Sequence, residues 1–273
     1  MGTFATARRV LRTQGVLGVT AAFKDRYLNN WAGKQIDWCY GALLELRGNV
    51  IAIDGCTFFL DSPAISTESK SKFMLNRYER PERDAVRRFL DPERPLVEFG
   101  GAIGVISCLA NRRLSRPRDH VVVEANPDLV PLLLKNRDFN HCSFTVLPRL
   151  VAYGRERATF YADKGNFVIG SAVPGRIDDA GTMVEVETIT LQAILEQYRF
   201  NTCTLVCDIE GGESDLVRYE SEILRSRVAT LILEVHEWIL GHGRVRELLA
   251  EIASLGFRTV AAEGDTYTFS KPY

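Results

Sequence analysis

Between Pro95 and Gly256, short apolar runs alternate with amphipathic ones, and this alternation limits the fold more than any other feature of the chain. "PLVEFG", "HVVVEA", "SFTVLP", "CTLVCDIE" and "ATLILEVH" have the length and apolar content of buried strands. "VISCLANRRL", "NPDLVPLLLKNRDF", "ITLQAILEQY" and "SDLVRYESEILRS" lie between them and read as helices. In the second of these, Asn126 is the expected N-cap and Pro127 the first helical residue, with Pro131 tolerated in the first turn. In "VRELLAEIASLGF", Val245, Leu248, Leu249, Ile252 and Leu255 mark one helical face, and Gly256 stops the helix. Such alternation predicts an α/β fold: a doubly wound, mostly parallel, Rossmann-like sheet. "FRTVAAEGDTYTFS" predicts a closing hairpin around Gly264-Asp265, which adds an antiparallel strand. "ATFYA" and "VEVET" are expected as peripheral strands around a Gly-rich loop at 165–181.

Upstream of the alternation, residues 1–48 read as helical, and "NVIAIDGCTFFLD" as two strands turning at Asp54-Gly55. "YERPERDAVRRFLD" reads as a helix that ends before Pro92. The expected division is an N-terminal helical cap with a short hairpin over 1–77 and the α/β domain over 78–273. Arg8, Arg9 and Arg12 before "GVLGVTAAF" imitate a signal peptide, but the run is short, holds two glycines and a threonine, and lacks a convincing cleavage site. The N-terminal helices suggest a peripheral contact with the inner membrane face or with a second copy of the chain. Six cysteines are scattered without any C-x-x-C, which suits reduced thiols and a cytoplasmic protein. A net charge of −1 gives no general pull toward nucleic acid, so none is expected as a partner.

In a doubly wound sheet, ligands bind beyond the carboxyl ends of the strands. The first strand ends "VEFGGAIG", where Gly100, Gly101, Ala102 and Gly104 allow a tight turn and close approach of a ligand. The second ends at Glu124, an acid able to accept both hydroxyls of a ribose. The loop is not G-x-G-x-x-G, which disfavours a dinucleotide oxidoreductase, and no G-x-x-x-x-G-K-[ST] occurs. Glu98 before the turn would repel a pyrophosphate but suits a ligand with a cationic end. Loop, acid and fold order together point to S-adenosylmethionine.

Six pieces in this order, "YERPERDAV", "LVEFGGAIGVIS", "VVVEANPDLVPLLLKNRDFN", "ETITLQAIL", "LVCDIEGGESDLV" and "LILEVH", resemble the FkbM family of S-adenosylmethionine-dependent methyltransferases. The Asp-x-Glu-Gly-x-Glu element from Asp208 to Glu213 is the most distinctive of them. The resemblance runs from about Tyr78 to Lys271. It implies a class I methyltransferase fold, with Glu98 through Gly104 around the methionine portion of the cofactor and Glu124 on its ribose. Asn126 and Asp208 complete the expected cofactor set. The family includes O-methyltransferases of polyketides and sugars.

The catalytic candidates follow from the fourth and fifth strand ends. Asp208 and Glu210 fall on one side of an extended strand, and Glu213 with Ser214 can cap the next helix. Methyl transfer to oxygen needs acceptor, methyl and sulfur in line and a base for a weakly acidic hydroxyl. His236 is the expected base, since a neutral imidazole suits that task near pH 7, with Asp208 or Glu210 as substitutes. Asp208, Glu210, Glu234 and His236 could instead supply ligands for Mg²⁺. The expected reaction is O-methylation of a glycan or glycosylated metabolite. The competing expectation is a non-catalytic nucleotide-binding or scaffolding protein that kept the fold.

Overall fold

A computed structural model of the chain describes residues 30–162, 170–171 and 182–271. The signal-like segment and most of the Gly-rich loop lie outside the described residues. Helix α1 (Asn30–Leu46) leads into a hairpin of β1 (Val50–Ile53) and β2 (Cys56–Phe59). Asp54 and Gly55 both take positive φ, 52° and 82°, as a two-residue hairpin turn of this hand requires. Helices α2 (Thr67–Met74) and α3 (Arg80–Phe89) follow. Gly41 lets α1 meet α2 backbone to backbone, since a Cβ there would lie 1.7 Å from the Thr67 carbonyl oxygen.

The alternating region begins with β3 (Leu96–Phe99), α4 (Val105–Asn111), β4 (His120–Val123), α5 (Val130–Phe139), β5 (Thr145–Leu147) and β6 (Leu150–Val151). After β7 (Arg157–Ala162), β8 (Gly170–Ser171) and β9 (Thr182–Ile189) come α6 (Leu191–Gln197), β10 (Cys203–Cys207), α7 (Glu213–Tyr219) and α8 (Ser221–Arg227). The chain closes with β11 (Val228–Glu234), α9 (Glu237–Leu240), α10 (His242–Ser254), β12 (Arg258–Glu263) and β13 (Thr266–Ser270). The central sheet has the order β12-β13-β11-β10-β3-β4-β5. Strands β11, β10, β3, β4 and β5 are parallel to their neighbours in that series, and β13 enters antiparallel between β11 and β12. The peripheral strands pair as a separate sheet, β6-β9-β7-β8.

Strand alternation splits the core in two. Val97, Phe99, Val121, Val123, Leu205 and Leu231 face α6, α7 and α10 in one cluster. Leu96, Val206 and Ile232 face α3 and α4 on the other side. The N-terminal segment joins that second side, where Phe58, Leu60, Phe73 and Tyr78 pack with Ile103, Val122 and Leu133. Buried Arg83 ties this segment down. It donates to Asp54 at 2.7 Å and to the carbonyls of Tyr78 and Asn76 at 3.0 and 3.1 Å.

Two expectations about helices are corrected. Asn126 does not cap α5 directly: its side chain accepts from the Asp128 N–H in a local turn, and the helix starts at Val130 with Pro131 in its first turn. The segment expected as one helix from Ser214 is two, α7 and α8, broken at Glu220. The Glu220 carboxylate accepts from the first amides of α6, Leu191 at 2.5 Å and Gln192 at 3.3 Å, which fixes the break against a neighbouring helix start. The six cysteines are unpaired. Among the described residues no helix is long and apolar enough to cross a membrane.

Candidate active site

A cleft of about 1350 Å³ opens at the carboxyl edge of the parallel strands. One wall comes from the ends of β3 and β4: Gly100, Ala102, Glu124 and Asn126. The facing wall is Asp208 to Gly212 beyond β10, with Glu234 at the end of β11. Tyr78, Glu79 and Glu82 before and within α3, and Thr266 at the start of β13, cover the join. Tyr153 and Tyr219 stack at 4.9 Å along the rim.

Glu124 is almost wholly buried yet reaches this cleft. Its oxygens accept from the Ala102 and Asn126 amides, both at 2.6 Å, so the carboxylate fastens the glycine loop to the end of β4. Burial pushes its pKa up to about 7, against the pull of those amides. Gly100, at φ 86°, passes so close to β10 that a Cβ would lie 1.9 Å from the Asp208 carbonyl oxygen. Its lack of a side chain couples the two walls.

Glu98 stands elsewhere. It faces the opposite side of β3 from Val97 and Phe99, wholly buried, and accepts from Ser107 Oγ at 2.7 Å. Its other oxygen lies 3.2 Å from His120 Nε2. The carboxylate implied for the cofactor's methionine portion is thus spent on anchoring α4 and β4, because alternation turns it away from the cleft. Gly101 and Gly104 also face inward, where added side chains would strike Val122 and Leu133. Of the expected loop residues, Gly100 and Ala102 line the cleft.

Asp208 and Glu210 do not owe their shared direction to strand alternation. Strand β10 ends at Cys207, and a turn through Gly211 (φ 89°) brings both carboxylates to His236 Nε2 at 3.4 Å. Glu234 lies 3.9 Å from the same nitrogen. On the other ring nitrogen, Nδ1 is 2.5 Å from Glu213 Oε1. Glu213 is wholly buried, so its main task is to orient this imidazole and not merely to complement a helix start.

The electrostatics follow from crowding. Burial raises Asp208 well above its usual range, against the pull of His236 and with help from Glu79 and Glu210. Burial and then the Asp208 charge push Glu234 up to about 9. Glu79 is raised well above its ordinary value, chiefly by burial. Burial opposes a charge on His236, but Glu210, Glu213 and Asp208 together push its pKa up to about 11. While protonated, this ring has no lone pair to receive a proton, so the crowding favours the surrounding carboxylates over the base expected at His236. The carboxylates around it are the groups able to exchange protons.

Three contributors went unread in the sequence. Glu79 and Glu82 come from "YERPERDAV", read as a helix and as one of the pieces that resemble the family but given no site role, and Tyr78 lies beside them in the cleft lining. The backbone signal is Glu79 itself, a non-glycine residue held at φ 46° immediately before α3. Glu82 is buried and accepts from Thr266 Oγ1.

A family model described as the methyltransferase FkbM domain matches residues 98–259, more than half of the chain. The chain belongs to the FkbM methyltransferase family. Family membership and fold support S-adenosylmethionine-dependent methyl transfer. A search of curated proteins found no match. Solved structures similar to this chain include a protein of the NADB-Rossmann superfamily from Streptococcus agalactiae, at 15% identity and TM-score 0.39, covering 69% of this chain and 65% of that one. This chain therefore spans just under two thirds of that protein. Others are precorrin-6y C5,15-methyltransferase from Geobacter metallireducens GS-15 (10% identity, TM-score 0.43, 71% of this chain and 89% of that one) and M. jannaschii TYW2 in complex with AdoMet (12%, 0.39, 82% and 86%).

The residues present fit the cofactor. Glu124 keeps lone pairs beyond its two amide bonds and borders the cleft. Together with Asn126 and Ala102 it would hold the nucleoside end. The acidic wall at Asp208 would face the sulfonium, whose chemical contribution is an activated methyl group.

Proposed function

We propose that this protein transfers the methyl group of S-adenosylmethionine to a hydroxyl of a saccharide or glycosylated metabolite. The observation that carries this reading is the convergence of Glu79, Asp208, Glu210 and Glu234 in the cleft that Glu124 borders. A polyhydroxylated acceptor offers many donors, and clustered carboxyl groups offer matching acceptors. With a cationic sulfonium nearby, an ionised carboxylate of the Asp208-Glu210 pair is favoured and can take the hydroxyl proton as oxygen attacks carbon. His236 in this reading orients the acids and does not accept the proton. The cleft's volume of about 1350 Å³ leaves room for a cofactor and an acceptor together, as an in-line transfer needs.

The test is calorimetric titration with S-adenosylhomocysteine, with NADH as control, followed by transfer of labelled methyl groups to a panel of saccharides. Binding of the first ligand alone and label in a methyl ether support the reading. Failure of S-adenosylhomocysteine to bind overturns it.

A further inference from the structure

The acidic wall of the cleft has a shortage of cations. Among the described residues, His236 is the one basic side chain within ion-pair distance of Asp208 and Glu234. One atom from each of Asp208, Glu234 and His236 lies within 4.8 Å of the other two. That spacing suits three ligands arranged about a single ion, and they stand at the ends of two neighbouring strands, Asp208 just beyond β10 and Glu234 and His236 at and beyond the end of β11.

Two further observations concern the ligand atoms themselves. Asp208 Oδ1 is buried and has no hydrogen-bond partner, although it points at the histidine from 3.4 Å. Glu213 is wholly buried behind the imidazole, with Oε1 on Nδ1 and its own Oε2 also lacking a hydrogen-bond partner. A cation binding here would displace the Nε2 proton, and the Glu213 carboxylate on Nδ1 holds the ring so that the freed Nε2 lone pair faces Asp208 and Glu234, the usual support of a metal-binding histidine. A solvated acidic face would need neither the buried carboxylate nor the fixed ring.

We infer that Asp208, Glu234 and His236 form a site for one divalent cation, and that its donor set suits Mn²⁺ better than Mg²⁺. Two carboxylates suit a hard ion, while an imidazole nitrogen favours first-row transition metals over Mg²⁺. Metal binding itself needs only these side chains. Its role deepens the methyl-transfer reading and rests on it: the ion would lower the pKa of an acceptor hydroxyl beside Asp208.

The experiment is titration of the purified full chain with Mn²⁺, following loss of the free-ion electron paramagnetic resonance signal, with S-adenosylhomocysteine calorimetry run in parallel. The expected result is one saturable ion per chain. Asp208→Asn and His236→Ala should each weaken it by about tenfold or more, since a lost ligand costs at least as much as a lost outer-shell partner. Mg²⁺ should displace Mn²⁺ only at about tenfold higher concentration or more. Thermal melting checks that each variant is folded, and Glu234→Gln carries the test if His236→Ala is not. No saturable Mn²⁺ binding, or equal binding by wild type and folded variants, overturns the inference; tighter Mg²⁺ binding overturns the choice of metal. S-adenosylhomocysteine binding without Mn²⁺ binding removes the ion and leaves methyl transfer standing. Site-specific Mn²⁺ binding without S-adenosylhomocysteine keeps the ion site and removes the cofactor reading.

Discussion

Replacing Glu124 by glutamine separates recognition from stability. The native carboxylate accepts two amides at 2.6 Å and is proposed to accept ribose hydroxyls with its remaining lone pairs. A hydrogen bond to a charged group contributes about 1.5–3 kcal/mol, so Glu124→Gln should weaken S-adenosylhomocysteine binding about 10- to 150-fold at pH 8. Stability should behave differently. The folded pKa of about 7 lies above the ordinary 4.5. Such a group contributes stability that is full below about 4.5 and is lost as pH rises through about 7, a loss of roughly 3 kcal/mol. Glutamine removes that buried charge but gives up one amide acceptor, a loss of about 1–3 kcal/mol. The thermal midpoint of the variant at pH 8 should therefore match or exceed that of wild type. Wild-type affinity should also fall as pH drops below about 7, approaching tenfold per unit, while the variant stays flat. Isothermal titration from pH 5.5 to 8 with parallel melting curves measures all of this. An unchanged affinity in Glu124→Gln, or a flat wild-type profile, would refute the ribose assignment.

Arg83→Met should destabilise the chain by about 1–3 kcal/mol in urea unfolding, because the Tyr78 and Asn76 carbonyls lose their buried donor while Asp54 keeps Arg87 as a partner. Gly100→Ala forces a side chain to φ 86° and against the Asp208 carbonyl; the backbone cost alone is about 1–2 kcal/mol, and calorimetry should show weaker S-adenosylhomocysteine binding as the two walls separate. Gly41→Ala should cost about 1–3 kcal/mol by overpacking α1 against α2, read as a lower melting temperature with cofactor affinity retained, since neither residue lines the cofactor wall.

The buried strands were legible because parallel strands covered on both faces are continuous apolar runs, as "LVEF" and "HVVV" are. The hairpins were legible from Asp54-Gly55 and Gly264-Asp265, where the turn demands particular residues. Less local decisions were not. The break at Glu220 depends on α6 presenting bare amides from 28 residues or more upstream, which no window through α7 and α8 contains. Glu98 sits two residues before the first glycine of a legible loop, and only the sheet's covering helices decide which face holds the carboxylate. Asp208, Glu210 and His236 were singled out as strand-end residues, but their meeting depends on a turn. Glu79 and Glu82 join them from more than 120 residues away.

One edge of this fold carries several unfavourable features together. Most of the sheet obeys every local rule: apolar strands, hydrogen-bonded polar groups, glycines where chains touch. Single departures occur elsewhere, such as the unbonded Thr204 Oγ1 and the left-handed His141 and Arg199, but several meet at one edge, where Glu79 adopts a left-handed backbone, carboxyl groups crowd one imidazole, and Asp208 and Glu213 each leave a buried oxygen without a hydrogen bond. Each costs stability, and none is needed to complete the core, since the clusters on both faces close without them. Arg83 and Glu213 nevertheless hold these groups in place from behind, one fixing the Tyr78-Glu79 segment and the other the imidazole. Rigid support for an arrangement that is unfavourable when empty makes physical sense if the cleft is completed by something that favours concentrated negative charge. A sulfonium, a divalent ion and a hydroxyl losing its proton all do so, and all three belong to the reaction proposed at this edge.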